Sequence, residues 1–216
     1  ARIVELLAPA LTHPGAVYVD GTLGLGGHAA AILTECPEAR LIGIDRDAAA
    51  LQVAAARLAR FGDRVRLHHA AYHELPQVLE EDGSSAVDAI CLDLGLSSLQ
   101  IDTAERGFAY AVDAPLDMRM DTGQELTAAD LVNTASAREL SRWLREYGDE
   151  QHADRIARRI VDRRAEQPIR TSADLVAIVT DAIPAAVRYA RSGHPAKRTF
   201  QALRIAVNDE IASLAA

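Results

Sequence analysis

Three aspartates and a glycine-rich turn are the residues of this chain best suited to chemistry. Asp20, Asp45 and Asp93 each end a short apolar run, and Asp20 leads directly into the glycine-rich residues 21–27. Glycines let a backbone turn sharply and approach a ligand, and a helix that starts after such a turn offers free N–H groups. The pattern predicts a pocket for a nucleotide-like ligand.

The glycine turn alone fits more than one ligand. Residues 24–29, GLGGHA, match the dinucleotide fingerprint G-x-G-x-x-G/A, and Asp45 follows Ala29 by 16 residues, near the place of a ribose-binding acid. An NAD-dependent oxidoreductase is therefore one interpretation, and close packing without a ligand is another. Asp20 disfavours NAD because its carboxylate would repel a pyrophosphate. It suits a ligand with an ammonium and a sulfonium, such as S-adenosylmethionine.

A second group of oxygens follows the fourth apolar run, where Asp93, Ser97 and Ser98 lie within six residues. They could accept hydrogen bonds from an exocyclic base amine and so localise its lone pair. Methyl transfer from sulfur to nitrogen would then owe its rate largely to positioning. In the alternative interpretation Asp93 only holds the cofactor, and the two serines cap a turn.

The elements that would position these groups alternate between strand and helix. Apolar runs and turn signals predict strands at 17–19, 40–45, 65–70 and 89–93, separated by helices at 27–33, 47–60 and 74–81. This alternation is typical of an α/β fold with a Rossmann-like, doubly wound parallel sheet. Ligands bind such sheets at the carboxyl ends of the strands, where the three aspartates fall.

Beyond residue 98 the sequence favours helices. Capping patterns predict helix starts at Thr127 with Asp130, Ser136 with Glu139, and Thr171 with Asp174. A break near Gly148, an end near Pro168 and a final helix are also expected; the apolar face of that helix, predicted to pack on the sheet, comprises Phe200, Leu203, Val207, Ile211 and Leu214. We expect an inserted helical substrate-recognition subdomain at 104–193, flanked by parts of a cofactor-binding domain at 1–103 and 194–216.

Four strands make a short sheet, and the fourth would be an open edge beside the predicted pocket. We therefore expect the cofactor-binding domain to be incomplete at both ends, with C-terminal strands of the sheet missing from this chain.

Composition limits the remaining possibilities. With 216 residues and 49% hydrophobic composition, the chain can bury a full core. It has no apolar run long enough to span a bilayer and no signal peptide pattern, so we expect a cytoplasmic protein. Cys36 and Cys91 suggest neither a disulfide nor a metal site, and His68, His69 and His73 lack metal-ligand spacing, so no metal is predicted. The oligomeric state, including a homodimer, stays open.

Charge is unevenly distributed along the chain. The net charge is −8, and residues 1–137 carry nine basic and 20 acidic side chains. Residues 188–204 instead carry five basic side chains and no acid, namely Arg188, Arg191, Lys197, Arg198 and Arg204. From charge alone this stretch fits a nucleic-acid contact and an ordinary solvated face equally well.

Longer segments carry a specific resemblance. VDGTLGLGGH, IDRD, LDLGLSSLQIDTAERGFAY, PLDMRMD and HPAKRTFQALRIAVNDE resemble signature segments of the bacterial 16S rRNA cytosine-N4 methyltransferases, the RsmH or MraW family. The resemblance implies a class I S-adenosylmethionine-dependent methyltransferase that modifies N4 of a cytidine in the decoding centre of the small ribosomal subunit. An NAD-dependent oxidoreductase and a non-catalytic nucleotide-binding ribosome-assembly factor are the alternatives.

The resemblance also implies site residues. Gly26, Gly27 and His28 match the segment around the methionine part of the cofactor, and Asp45 matches the acid on the ribose. Tyr72, Asp93 and Gln100 complete the implied cofactor site, together with Asp20; Tyr72 stands where an aromatic ring would pack near adenine. The implied RNA contacts are His194, Lys197, Arg198 and Arg204.

Overall fold

Four parallel strands form one sheet: β1 (Val17–Asp20), β2 (Arg40–Asp45), β3 (Val65–His69) and β4 (Ala89–Cys91). The structure is a computed structural model that describes residues 2–186 and 193–215. The strand order is β3-β2-β1-β4, so the topology switches direction between β1 and β4. The predicted parallel α/β fold is confirmed, although β3 and β4 end one and two residues earlier than predicted.

Helices cover both faces of this sheet. They are α1 (Arg2–Leu7), α2 (Gly27–Glu35), α3 (Ala48–Leu58) and α4 (Leu75–Asp82), and α5 (Ser98–Asp102) follows β4. Alternate strand residues face opposite sides. Tyr18 and Leu41 join a buried cluster with α2 and α3, whereas Val19 and Ile42 join Val78 of α4 in a second cluster. The sheet is therefore doubly wound.

Strand β4 forms one edge of the sheet within the described residues. Ile90 and Leu92 are 49% and 42% exposed there. The expected open edge beside the carboxyl end of β1 is thus present in the structure.

The chain divides into two compact units, residues 1–99 with 212–216, and residues 100–211. The second unit contains α6 (Ala128–Thr134), α7 (Ala137–Glu146), α8 (Ala153–Glu166), α9 (Ser172–Ala182) and α10 (Lys197–Val207), and α11 (Glu210–Ala215) follows. All three predicted capping boxes form: the hydroxyls of Thr127, Ser136 and Thr171 accept backbone hydrogen bonds from Asp130, Glu139 and Asp174 at 3.1, 3.2 and 3.2 Å. Gly148 lies between α7 and α8, and Pro168 follows α8, as predicted.

The prediction of one continuous final helix was wrong. Asn208 ends α10, and Asp209 has a positive φ of 48°, which breaks the helical path. The Asn208 side chain donates to the carbonyls of Met118 and Arg204, each at 2.8 Å, and its Oδ1 accepts from the Met120 N–H at 2.7 Å. These tertiary bonds stabilise the break, and Ile211 beyond it is 50% exposed.

Helix α10 packs on α6 and α7. The compact unit that contains these helices, the helical unit, spans residues 100–211. The division into a cofactor-binding domain at 1–103 and 194–216 and a substrate-recognition subdomain at 104–193 stays a prediction.

Both cysteines of the chain, Cys36 and Cys91, are buried free thiols, and burial raises the pKa of both. Among the residues that the structure describes, no helix has the length and apolar character required to cross a membrane.

Candidate cofactor site

The glycine turn is held between the ends of three strands by backbone hydrogen bonds. The Gly21 N–H donates to the Cys91 carbonyl and the Leu23 N–H to the Ile44 carbonyl, both at 3.0 Å. Gly24 and Gly26 have positive φ values of 53° and 73°, which favour glycine. The turn therefore lies across the carboxyl ends of β1, β2 and β4.

Gly26 serves close packing as well as turning. It is the N-cap of α2, and a Cβ built on it would lie 3.2 and 3.3 Å from Leu58 and Ala54 of α3. This observation supports the packing interpretation at Gly26. At Gly24 the nearest atom to an added Cβ is the Ser97 Cβ, 3.9 Å away, so open space remains beside the turn.

Asp45 connects the glycine turn to the helix after β2. Its Oδ2 accepts from the Gly24 N–H at 2.6 Å, and its Oδ1 accepts from the Asp47 N–H at 2.8 Å. Asp47 in turn caps α3 by accepting from the Ala49 N–H at 3.1 Å. Burial raises the pKa of Asp45 despite these donors. A carboxylate oxygen has two lone pairs, so each can accept a further hydroxyl donor.

Asp93 lies beyond the end of β4, two residues outside the strand. Its backbone N–H donates to the Thr22 hydroxyl at 2.6 Å, which ties the loop after β4 to the glycine turn. The Asp93 carboxylate is 70% exposed, and its Oδ2 lies 3.9 Å from Nδ1 of His28 in the first turn of α2. The structure thus brings His28 and Asp93 together at the edge that also holds Asp20 and Asp45.

Asp20 is a buried acid with neutral hydrogen-bond donors. It is 2% exposed, its Oδ2 accepts from the Tyr18 hydroxyl at 3.0 Å, and its Oδ1 accepts a weaker bond from the Thr22 N–H at 3.4 Å. Burial outweighs both donors and raises the pKa of Asp20 to about 6. The described part of the chain places no cationic side chain within ion-pairing distance of it. At neutral pH it is a buried anion that a cationic ligand would stabilise.

Asp20→Asn should flatten the pH dependence of folding stability. Because the pKa of the folded state, about 6, exceeds the ordinary value of 3.8, the contribution of Asp20 is fully present below about pH 4 and is lost as the pH rises through about 6. This difference corresponds to about 3 kcal/mol. Urea unfolding between about pH 4 and about pH 7 should therefore show the variant gaining stability relative to the wild type as the pH rises. If the free energies of unfolding of the variant and the wild type changed in parallel with pH, the raised pKa of Asp20 would be contradicted.

Tyr72 and the two serines border the same edge. Tyr72 lies in the short 3₁₀ helix after β3, half-buried, with the Arg46 guanidinium 5.9 Å from its ring centroid. A Cβ built on Gly21 would lie 3.4 Å from the Cβ of Tyr72, which places this tyrosine beside the turn. Ser97 lies beside Gly24, and Ser98 begins α5.

The side chains at this edge of the sheet fit S-adenosylmethionine. Asp20 is an anion for a cationic ligand, Asp45 has acceptor capacity for ribose hydroxyls, and Tyr72 has an aromatic face. The same buried anion disfavours the pyrophosphate of NAD.

In a comparison with known proteins, residues 1–216 match the MraW methylase family. The chain belongs to this family. Similar proteins are the ribosomal RNA small subunit methyltransferases H of Cutibacterium acnes (58% identical over 216 residues, 100% of this chain), Thermobifida fusca (58% over 213 residues, 99%) and Acidothermus cellulolyticus (59% over 213 residues, 99%). The chain spans 64% of the length of each of these relatives.

Other residues implied by the MraW resemblance lie in the second unit. Gln100 is buried in α5, with 4% exposure. The His194 ring stacks on Tyr110 with centroids 4.6 Å apart, and Lys197 is exposed at the start of α10. Arg198 donates to the Asp149 carbonyl.

Arg204 already has an acidic partner within the second unit. It forms a bidentate ion pair with Glu210, with Nε 2.7 Å from Oε1 and Nη2 3.0 Å from Oε2, and its side chain is only 18% exposed. Arg188 and Arg191 lie outside the described residues. Among the Lys and Arg side chains of this stretch that the structure describes, Lys197 is the most exposed.

Two contributors to the site were missed from sequence. Tyr18 supplies the hydroxyl that holds Asp20, and Thr22 supplies the hydroxyl that holds the Asp93 backbone. The period of two along β1, which places Tyr18 and Asp20 on one face, was the available signal for Tyr18. Thr22 had no local signal, because its partner lies 71 residues away.

Proposed function

We propose that the whole protein transfers a methyl group from S-adenosylmethionine to N4 of a cytidine in the decoding centre of 16S rRNA. The observation that carries this proposal is the buried Asp20 anion at the carboxyl end of β1, directly before the glycine turn. Membership of the MraW methylase family and the names of its similar proteins, the ribosomal RNA small subunit methyltransferases H, support the reaction class and the RNA. The cytidine and its N4 atom come from the segments that resemble the cytosine-N4 enzymes.

The cofactor would be held by residues at one sheet edge. Asp20 would balance its positive charge, Asp45 would accept from its ribose, and Tyr72 would pack near its adenine. Gly26, Gly27 and His28 would line its methionine part, and Gln100 belongs to the proposed set. When bound, S-adenosylmethionine supplies an electrophilic methyl group on a sulfonium.

The acceptor side of the reaction would use Asp93, Ser97 and Ser98. A cytosine must leave its stack to reach a protein pocket, and its exocyclic amine is then read by hydrogen bonds. Asp93 suits this task because its carboxylate is 70% exposed and its backbone is fixed by Thr22. An acceptor that draws the amine N–H out of the ring plane raises the nucleophilicity of the nitrogen, and preorganised groups of this kind contribute mainly through positioning.

Asp93→Asn tests this role in the whole protein. The wild type, incubated with labelled S-adenosylmethionine and undermethylated small subunits, should yield N4-methylcytidine when the RNA is digested to nucleosides. The variant should lower kcat by roughly 100-fold, as expected for loss of one positioned polar group, while the Kd of the cofactor changes much less. A loss of cofactor affinity as large as the loss of kcat would instead support a purely cofactor-holding role. Another methylated nucleoside, or none from the wild type, would overturn the proposed reaction.

A further inference from the structure

The helical unit has a groove between α7 and α8 that is lined by arginines. The groove measures about 560 Å³ and contains Arg138, Arg142, Arg145 and Arg158, with two carboxylates, Glu146 and Asp154. Four positive and two negative side chains give it a formal charge of 4 − 2 = +2, in a chain whose net charge is −8. This concentration of positive charge lies outside the basic stretch at 188–204.

The spacing of the arginines on α7 directs them to one side of the helix. Arg138, Arg142 and Arg145 are four and three residues apart, so they lie along one face. Leu140 and Leu144 on the opposite side are fully buried. The capping box of Ser136 and Glu139 fixes the start of the helix, so the arginines project from a rigid element.

Arg138 and Arg142 have one acidic neighbour in common, Glu139, which the Ser136 hydroxyl already holds in the capping box. Arg145 pairs with Asp154 at 2.9 Å, and Asp154 also accepts from the Ser141 hydroxyl at 2.5 Å, so this carboxylate is already engaged. Within residues 2–186 and 193–215, no ion pair is formed by Arg138 or Arg142. Like charges at i and i+4 destabilise a helix. An anionic partner would relieve the repulsion between Arg138 and Arg142 on this exposed helix face.

The opposite side of α8 shows a different charge pattern. A second groove, between α8 and α9, contains two arginines and four carboxylates, a formal charge of 2 − 4 = −2. There Arg159 pairs with Asp181, and Arg163 pairs with Glu166 at 2.9 Å. Both arginines of this second groove are paired with carboxylates, whereas Arg138 and Arg142 on the α7 side form no ion pair among the described residues.

We infer that the α7–α8 groove binds the phosphate backbone of the RNA substrate, an inference that rests on the proposed function. The planar guanidinium of arginine can donate two parallel hydrogen bonds to a phosphate. Arg138 and Arg142 are the principal contacts, and Arg158, whose Nε donates to the Asp154 carbonyl at 3.2 Å, borders the groove from α8. Such contacts position RNA without reading its sequence.

The test is the salt dependence of binding of the whole protein to unmethylated small ribosomal subunits and to naked 16S rRNA. Arg138→Gln with Arg142→Gln should lower the slope of log Kd against log salt concentration by about 1.4 to 1.8, the value for two lost phosphate contacts. Affinity at low salt should fall roughly tenfold or more. The matched control, Arg159→Gln with Arg163→Gln, makes the same change in net charge on the other side of α8 and should leave the slope within about 0.3 of the wild type.

Equal losses in both double variants would overturn the inference, because net charge alone would then explain them. No loss in the α7 variant would also overturn it, as would a loss seen with subunits but not with naked rRNA, since that result would place a ribosomal protein in the groove. Thermal unfolding of both variants establishes that the helical unit is folded. Methyl transfer by the wild type is measured separately, so a failure of the proposed function is distinguishable from a failure of the groove to bind RNA.

Discussion

Replacement of Asp45 by alanine should weaken binding of S-adenosylmethionine to the whole protein by roughly 30- to 150-fold, or about 2–3 kcal/mol. The carboxylate accepts from the Gly24 N–H at 2.6 Å and from the Asp47 N–H at 2.8 Å, so its removal leaves both donors without this partner. The proposed ribose contact is lost in the same step. Titration calorimetry measures the effect directly.

Two variants make this result specific. Asp45→Asn retains one carbonyl acceptor and should weaken binding by an intermediate amount. Asp63→Ala removes the same charge from an exposed position in the 3₁₀ segment after α3 and should leave the Kd unchanged. Equal affinity in the wild type and Asp45→Ala would disprove the ribose assignment.

Gly107→Ala should be among the most destabilising single substitutions in the helical unit, lowering the free energy of unfolding by roughly 2–5 kcal/mol. Gly107 has a φ of 69°, which costs an alanine about 1–2 kcal/mol. An added Cβ would also lie 2.2 Å from the Pro115 carbonyl oxygen and 2.8 Å from the Asp117 nitrogen. Both are backbone atoms, so relief requires movement of the chain, and overpacking of this kind costs a further 1–3 kcal/mol or so.

Gly15→Ala is the matched control for the steric part. Gly15 has a similar φ of 77°, but no heavy atom lies within 4 Å of an added Cβ. Its substitution should therefore cost only about 1–2 kcal/mol. Chemical denaturation of both variants separates the two contributions, and equal losses at the two glycines would show that the close contact with Pro115 relaxes without cost.

Sequence patterns within a few neighbouring residues were sufficient to predict much of the fold. The capping boxes at Thr127, Ser136 and Thr171 depend on residues three positions apart, and each formed as predicted. The strand ends that carry Asp20 and Asp45 were equally local, because apolar runs and glycines mark them. Their meeting at one edge followed from the parallel topology rather than from any direct contact in sequence.

Features determined by distant partners were not predictable. The break after α10 depends on Asn208 bonding to Met118 and Met120, some 90 residues earlier. The same limitation applies to arginines, because sequence gives their number but not their ion pairs. Arg204, a predicted RNA contact, pairs with Glu210, whereas Arg138 and Arg142, which no sequence motif marks, form no ion pair among the described residues.

The bonds of Asp45 have a further consequence for the energetics of ligand capture. Because this side chain accepts hydrogen bonds from both the glycine turn and the residue that caps α3, the conformation of the turn is fixed when the chain folds. Fixing the backbone of a residue costs about 1–2 kcal/mol of conformational entropy. That cost is met when the chain folds rather than when the ligand arrives, so affinity at this edge is not reduced by the need to order a loop.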